Sequence, residues 1–487
     1  MNHNKVPFFC RIRRGLPPLF PLVLFILFGF GCSLVPLQGP PPKAKALGML
    51  DSPPKLVLEK KVFPNGLTSI LIENRKLPLF SLFVFVKIGS RHERPKTTGA
   101  AHYLEHMMFK GSKNYGAGEF EKVIAGNGGT HNAYTTKDLT VYHESLPINA
   151  LDNILKLEAD RLFHLSLEKN SFEKERFVIL EEKKLRLDNS PRGQLLFETL
   201  KTAYRQTPYA HATIGLTQDI KTVSQEEIRD YFETFYDPAN IVIVLSGDFK
   251  AKTLMPKMKT LFGRVPSKGK FRKALKKRDA NRLYSFKNSW DRPKSIELYG
   301  NSPLPLFMAA YPSFPKGHQK SFAMDLLAQV LGGSKSSYLS QKYVHGAKPP
   351  LGSFQAFHYD MEKSGLLLFT GQLLKGKGPA AFRRRFQKDL KGLCHKAVSV
   401  RAVEKVKNQY LTGYFHSFET NSGLAELVGL REVLYGDPFY FHRELKRYLE
   451  TTPDQIKEVC RETLEKNSPL TVSVWNKHRK KKGKGRQ

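Results

Sequence analysis

The stretch GAAHYLEHMMFKGS, residues 99–112, decides how this chain is read. Ala100 and Ala101 favour a helix, and Thr97 or Thr98 stands where an N-cap is wanted. On a helix, positions i and i+4 share a face, so His102 and His106 present two imidazoles on one side. Glu105 projects beside them. Two neutral imidazoles can hold Zn2+ without cancelling its charge, and a nearby carboxylate can take a proton from water whose pKa the metal lowers to about 7. The order H-x-x-E-H reverses the commoner zincin motif. Alone, it is equally compatible with a surface helix carrying two solvated histidines.

A catalytic zinc wants three protein ligands and one open position. Residues 171–187 (SFEKERFVILEEKKLRL) read as a helix that can supply the third. Glu175 and Glu182 are two turns apart on one face, while Glu181 points about 100° away, toward solvent. Phe177, Val178, Ile179 and Leu180 predict a helix buried over much of its surface, where a carboxylate needs a partner. Asn170 is the expected N-cap, with Glu173 three residues on.

Outward from this core, residues 62–72 predict a hairpin turning at Asn65-Gly66, and 82–88 a second apolar strand. Helices are expected at 98–109, 118–125, 151–163 and 225–235. Residues 240–247 (NIVIVLSG) form a near-continuous apolar run, as in a strand covered on both faces. Residues 266–293, rich in Lys and Arg with Gly and Asp, read as a linker. Beyond it, strands are expected at 306–311, 365–371 and 470–475, and helices at 320–331 and 400–415. The order of elements repeats, which implies an internal duplication. The expected domains are 56–265, carrying the metal motif, and 294–475, without metal ligands.

The first 15 residues hold four Lys or Arg and no acid, and residues 19–31 form an apolar run of 13. That is short of the roughly 20 residues a span requires and suits a signal peptide over 1–31. The run ends Phe28-Gly29-Phe30-Gly31-Cys32, which resembles a bacterial lipoprotein cleavage site. Lipidation at Cys32 stands beside ordinary cleavage or an uncleaved anchor, because Gly29 occupies a position where an aliphatic residue is usual. Residues 32–55 read as a tether. Export to a bacterial periplasm or cell envelope is the expectation, because a mitochondrial presequence would be amphipathic rather than continuously apolar. Cys394 and Cys460, the two cysteines of the body, form either a disulfide or two buried thiols. The formal charge is +35, with seven Lys or Arg in the tail 476–487. A soluble basic surface or affinity for an acidic one explains this charge; no nucleic-acid recognition motif accompanies it.

Three segments, GAAHYLEHMMFKGS (99–112), GGTHNAYTTKDLTVYHESLP (128–147) and FEKERFVILEE (172–182), together resemble the pitrilysin or insulinase family of metallopeptidases, in its single-chain, processing-peptidase-like branch. The resemblance is strong over 62–249 and weak beyond. It implies an α+β fold: two homologous halves, each a mostly antiparallel sheet packed with helices. It implies one Zn2+ per chain on His102, His106 and Glu182, the last being 76 residues after His106. Glu105 would be the general base and Glu175 an auxiliary acid orienting the ligands. Asn132, Ala133, Tyr134 and Thr135 would lie near an edge strand beside the zinc, to which extended substrate adds, with Asn132 contacting the substrate backbone. The function implied is hydrolysis of peptides or unfolded segments. In the second half the family's Arg and Tyr, which help hold the substrate carbonyl, align with Val344 and Leu351; Lys342 and Tyr343 stand nearby. A second family subunit, in a homo- or heterodimer, is the expected source of the missing pair. The rival readings are a non-catalytic scaffold subunit and a basic envelope lipoprotein with a binding role.

Overall fold

The computed structural model describes residues 56–205, 207–279, 290 and 292–476. The expected signal (1–31), the tether (32–55) and the tail beyond Asn476 lie outside the described residues, and so does lipidation at Cys32.

The first half contains β1 (Val57–Val62), β2 (Thr68–Glu73), β3 (Leu79–Val86), helix α1 (Ala100–Met107), β4 (Thr130–Thr135) and β5 (Thr140–Pro147). Helices α2 (Lys169–Lys183) and α3 (Pro191–Ala203) and strand β6 (Ile241–Gly247) complete it. Its sheet runs β1-β2-β6-β3-β5-β4. The β2–β6 pair is parallel and the other four are antiparallel. The expected hairpin is β1–β2. Gly66 in its turn has φ 88°, which a side chain would resist. Every residue of β6 is buried, as its continuous apolar run requires.

The second half contains β7 (Lys294–Gly300), β8 (Leu306–Ser313), α4 (Ser321–Gly332), β9 (Leu351–Asp360) and β10 (Gly365–Leu373). It closes with α5 (Val400–His416), α6 (Asn421–Tyr435), α7 (Tyr440–Glu450) and β11 (Leu470–Asn476). The sheet runs β7-β11-β8-β10-β9, again with one parallel pair, β7–β11. Strand for strand this repeats the first sheet from β2 onward. The duplication is therefore visible in topology, and the fold is the α+β arrangement of two sheet-plus-helix halves.

The halves exchange a helix. Leu424, Ala425, Leu427 and Val428 of α6 cover the face of the first sheet formed by Phe83, Phe85, Val242 and Val244. Reciprocally, Leu195, Leu200 and Ala203 of α3 pack on Met308, Leu368 and Val472 of the second sheet. The approach is close: a Cβ on Gly429 would lie 2.1 Å from a ring carbon of Phe85. Each sheet thus buries one face only with the other half's help, and the shape of the first half depends on the second.

Several local expectations are corrected. Neither Thr97 nor Thr98 caps α1. Gly99 occupies the N-cap with φ 94°, and the carboxylate of Glu93 accepts from the amides of Gly99 (2.8 Å) and Ala101 (2.9 Å). Thr98 instead donates to Asp219. The N-cap of α2 is Glu168 rather than Asn170. Phe177 and Val178 are 67% and 49% exposed, so α2 buries a narrow stripe (Phe172, Glu175, Ile179) rather than most of its surface. The segment read as a linker opens with a helix, Lys270–Asp279, packed on helix Gln225–Phe235. Cys394 and Cys460 are paired as a disulfide, both fully buried. No helix among the described residues is long and apolar enough to cross a membrane.

Candidate metal centre

Helix α1 packs against α2, helix Gln225–Phe235 and β4, with Tyr103, Leu104 and Met107 in the core. That packing turns His102 and His106 toward α2, which crosses α1 and brings Glu182 between them. His102 Nε2 is 3.7 Å and His106 Nε2 3.2 Å from the same atom, Glu182 Oε2. One ligand atom from each of the three residues lies within 4.8 Å of the others. Ligands at about 2.0–2.1 Å from a tetrahedral zinc stand roughly 3.3–3.5 Å apart, so this set fits such an ion. Glu182 Oε2 is buried and carries no hydrogen bond. Buried there with only histidine nitrogens facing it, this oxygen needs a positive partner, which a protonated His106 or a metal cation can supply.

Neighbours aim two of the three ligands. Glu175 Oε2 meets His106 Nδ1 at 3.1 Å, which leaves Nε2 directed at Glu182, and Lys110 holds the other Glu175 oxygen at 2.9 Å. Arg186 binds Glu182 Oε1 at 2.8 Å, leaving Oε2 toward the histidines. Such outer contacts fix which ring nitrogen is available to a metal. The α-helix passes at Lys184–Asp188 into a wider π-helical turn just after Glu182.

The electrostatics suit a cation. Burial, reinforced by neighbouring His106, lowers the pKa of His102 to about 3, keeping it neutral. Burial pulls His106 down too, but its close contacts with the Glu175 and Glu182 carboxylates outweigh that and raise it to about 9. Burial works against the charge of Glu182, yet the His106 contact and the nearby positive groups bring it to about 2. Positive charge is thus favoured between two carboxylates, where a divalent ion would replace the His106 proton. Glu105 stands beside this set; burial raises its pKa, and Thr135 Oγ1 donates to its Oε2.

Strand β4 ends the sheet order, so its edge away from β5 pairs with no described strand. Asn132 Oδ1 accepts from the Ala133 amide at 2.9 Å, and Ala133 packs on the core side of the sheet. Tyr134 points to the opposite face, where its hydroxyl donates to Glu426 of α6 at 3.2 Å. In the second half Leu351 is buried in β9 and Val344 half-buried. Lys342 and Tyr343 both bind Asp389, at 2.7 and 3.0 Å. Sequence reasoning missed Glu93, Lys110, Thr135 and Arg186. Arg186 is four residues after Glu182, a spacing that signals a helical ion pair; Glu93 reaches the α1 cap through a short loop, and Lys110 and Thr135 make their contacts across the fold.

Comparison with known proteins agrees with this architecture. The pattern of the insulinase family (peptidase family M16) matches residues 69–216, and that of the peptidase M16 inactive domain matches 222–410. The chain is 30% identical over 381 residues to the zinc protease PqqE of Helicobacter pylori, covering 76% of this chain and 82% of that one. It is 26% identical over 422 residues to the mitochondrial-processing peptidase subunit beta of Rattus norvegicus, covering 84% and 83%. The crystal structure of a protease from Helicobacter pylori superposes with a TM-score of 0.79 at 25% identity, over 86% of this chain and all of the other. The chain belongs to the insulinase family, peptidase family M16.

Proposed function

We propose that this chain is a zinc endopeptidase that hydrolyses peptides or unfolded segments. The observation that carries the reading is the convergence of His102, His106 and Glu182 on one point, with Glu182 Oε2 buried and unbonded. These three would hold one Zn2+, with Glu175 orienting His106. Bound there, the ion would polarise the scissile carbonyl and acidify a water. Glu105 takes the proton of the attacking water and delivers it to the departing amine nitrogen. An extended substrate adds to the free edge of β4, with main-chain bonds near Asn132, Ala133 and Tyr134. The test is Glu105→Gln. Zinc content should stay at one per chain while cleavage of a quenched peptide library falls at least about 100-fold. Retained cleavage refutes the assignment, and a wild-type chain that neither binds zinc nor cleaves supports the scaffold reading.

A partner is part of this proposal. Apolar Val344 and Leu351, together with the engagement of Lys342 and Tyr343 by Asp389, favour a second family subunit as donor of the substrate-carbonyl contacts. The relative from Rattus norvegicus is itself named as a subunit. Equal activity of the isolated chain and of a co-purified complex would remove that requirement. Export to a bacterial envelope, with lipidation at Cys32, rests on the N-terminal sequence and is favoured by the buried Cys394–Cys460 bond, since disulfides persist in oxidising compartments. The mass of the mature N-terminus tests it.

A further inference from the structure

Thr135 closes strand β4 and is 6% exposed. Its hydroxyl has one proton, and that proton goes to Glu105 Oε2. The nearest other hydroxyl, Thr140 Oγ1, is 3.4 Å away and donates its own proton to the carbonyl of Ile88 at 2.9 Å. Thr140 Oγ1 could accept only across that longer separation, whereas Glu105 offers a closer carboxylate oxygen, so the Thr135 proton stays with the carboxylate. The same short strand carries Asn132, Ala133 and Tyr134. One end of the strand thus grips the carboxylate of Glu105, while the rest offers an unpaired edge.

We infer that Thr135 is a positioning residue for Glu105. It fixes Oε2 so that Oε1 receives the proton of the attacking water, and it ties that orientation to the strand along which substrate lies. This rests on the proposed peptidase reading. In the step concerned, the O–H bond of water breaks and its proton moves to Oε1 as the oxygen bonds the scissile carbon. The proton then passes to the amine nitrogen as the C–N bond breaks. Without the Thr135 bond the carboxylate can rotate about its last torsion, and the fraction of time Oε1 faces the water falls. Since Thr135 holds the base and not the substrate, its loss acts on turnover and leaves substrate affinity alone.

Two measurements test this. Thr135→Val keeps the shape and removes the donor; Thr135→Ser keeps the donor. With a fluorogenic peptide, Thr135→Val should lower kcat about 10–100-fold with KM changed less than about twofold, the range that misplacement of a catalytic group produces. Thr135→Ser should retain kcat within about threefold, and zinc content should be one per chain in all three proteins. The second measurement needs no activity. In metal-free protein, Thr135→Val should lower the thermal midpoint by about 2 °C, and by distinctly less in a Glu105→Ala background, because the two residues couple. An unchanged kcat in Thr135→Val, a loss that Ser fails to rescue, or additive midpoints overturn the inference while leaving the peptidase reading standing. A wild-type chain that binds zinc and cleaves nothing overturns both.

Discussion

The two halves place side-chain clusters at corresponding positions and finish them differently. In the first, α1, α2 and the edge strand β4 bring together His102, His106, Glu182 and Glu105. In the second, α4 follows the central strand as α1 does, and β9 is the edge strand as β4 is. There His358 of β9 meets Asp325 of α4 through Nδ1 at 2.7 Å and the carbonyl of Phe314 through Nε2 at 3.0 Å. Tyr448 of α7 donates to the other Asp325 oxygen at 2.7 Å and stacks on Tyr410 of α5. Both ring nitrogens of His358 face acceptors, so the ring carries both protons and no lone pair remains for a metal. The first half leaves Glu182 Oε2 and His102 Nδ1 buried without hydrogen bonds; among the buried atoms so left, none belongs to Asp325, His358 or Tyr448. A metal centre and a structural latch thus differ less in residue type than in whether every donor and acceptor is matched within the protein.

The strongest way to break this comparison is to disable each cluster in turn. Glu182→Gln removes the carboxylate that unites the two imidazoles. Zinc content, read by metal analysis after dialysis, should fall from about one per chain to a small fraction, and hydrolysis should fall at least about 1000-fold. Asp325→Ala in the second half should leave zinc content unchanged. Zinc lost equally from both variants would mean that the second cluster shapes the first.

The same Asp325→Ala change sharpens the comparison through stability. It leaves the His358 imidazolium, 1% exposed, without its hydrogen-bonded carboxylate and with only the charge of Asp360 to offset it. Breaking a buried pair from one side costs about 3 kcal/mol. The urea midpoint of Asp325→Ala should therefore drop well below that of the wild type. A shift smaller than about 0.5 kcal/mol would show that the pair contributes little net stability.

How much of this was legible in the sequence follows the range of each interaction. Residues 241–247 reveal a buried central strand through an unbroken apolar run, and His102 with His106 declare a shared face by spacing alone. Glu175 and Glu182 were legible as one face of one helix. Phe177 and Val178 misled, because apolar residues on a helix imply burial only when something covers them, and here they are exposed. The cap of α1 was misread for a related reason: Glu93 reaches it through a loop, whereas the threonine rule considers only the adjacent residues. The helix exchange was unreadable as pairing, since α3 and α6 find their sheets more than 100 residues away in the chain. Their starts did carry local signals: Ser190 caps with Pro191 behind it, and Thr420 caps α6. Thr135 was legible only as part of the Asn132–Thr135 strand segment; its bond to Glu105 depends on a contact 30 residues away in the chain.

The smallest effect is a pH dependence belonging to the second half alone. Burial pulls the pKa of His358 down, but its bond to Asp325, the charges of Asp325 and Asp360 and the Phe314 carbonyl outweigh that and raise it above its ordinary 6.5. A raised folded-state value means that folding takes up a proton over the interval between the two values. The stabilisation is therefore full below about pH 6.5 and is lost as pH rises through the folded-state value. His358→Gln cannot titrate. The difference in thermal midpoint between wild type and this variant should be constant below pH 6 and shrink steadily above pH 7. A difference that instead grew with pH would mean that the folded protein holds His358 neutral, and the second cluster would then retain a lone pair as the first does.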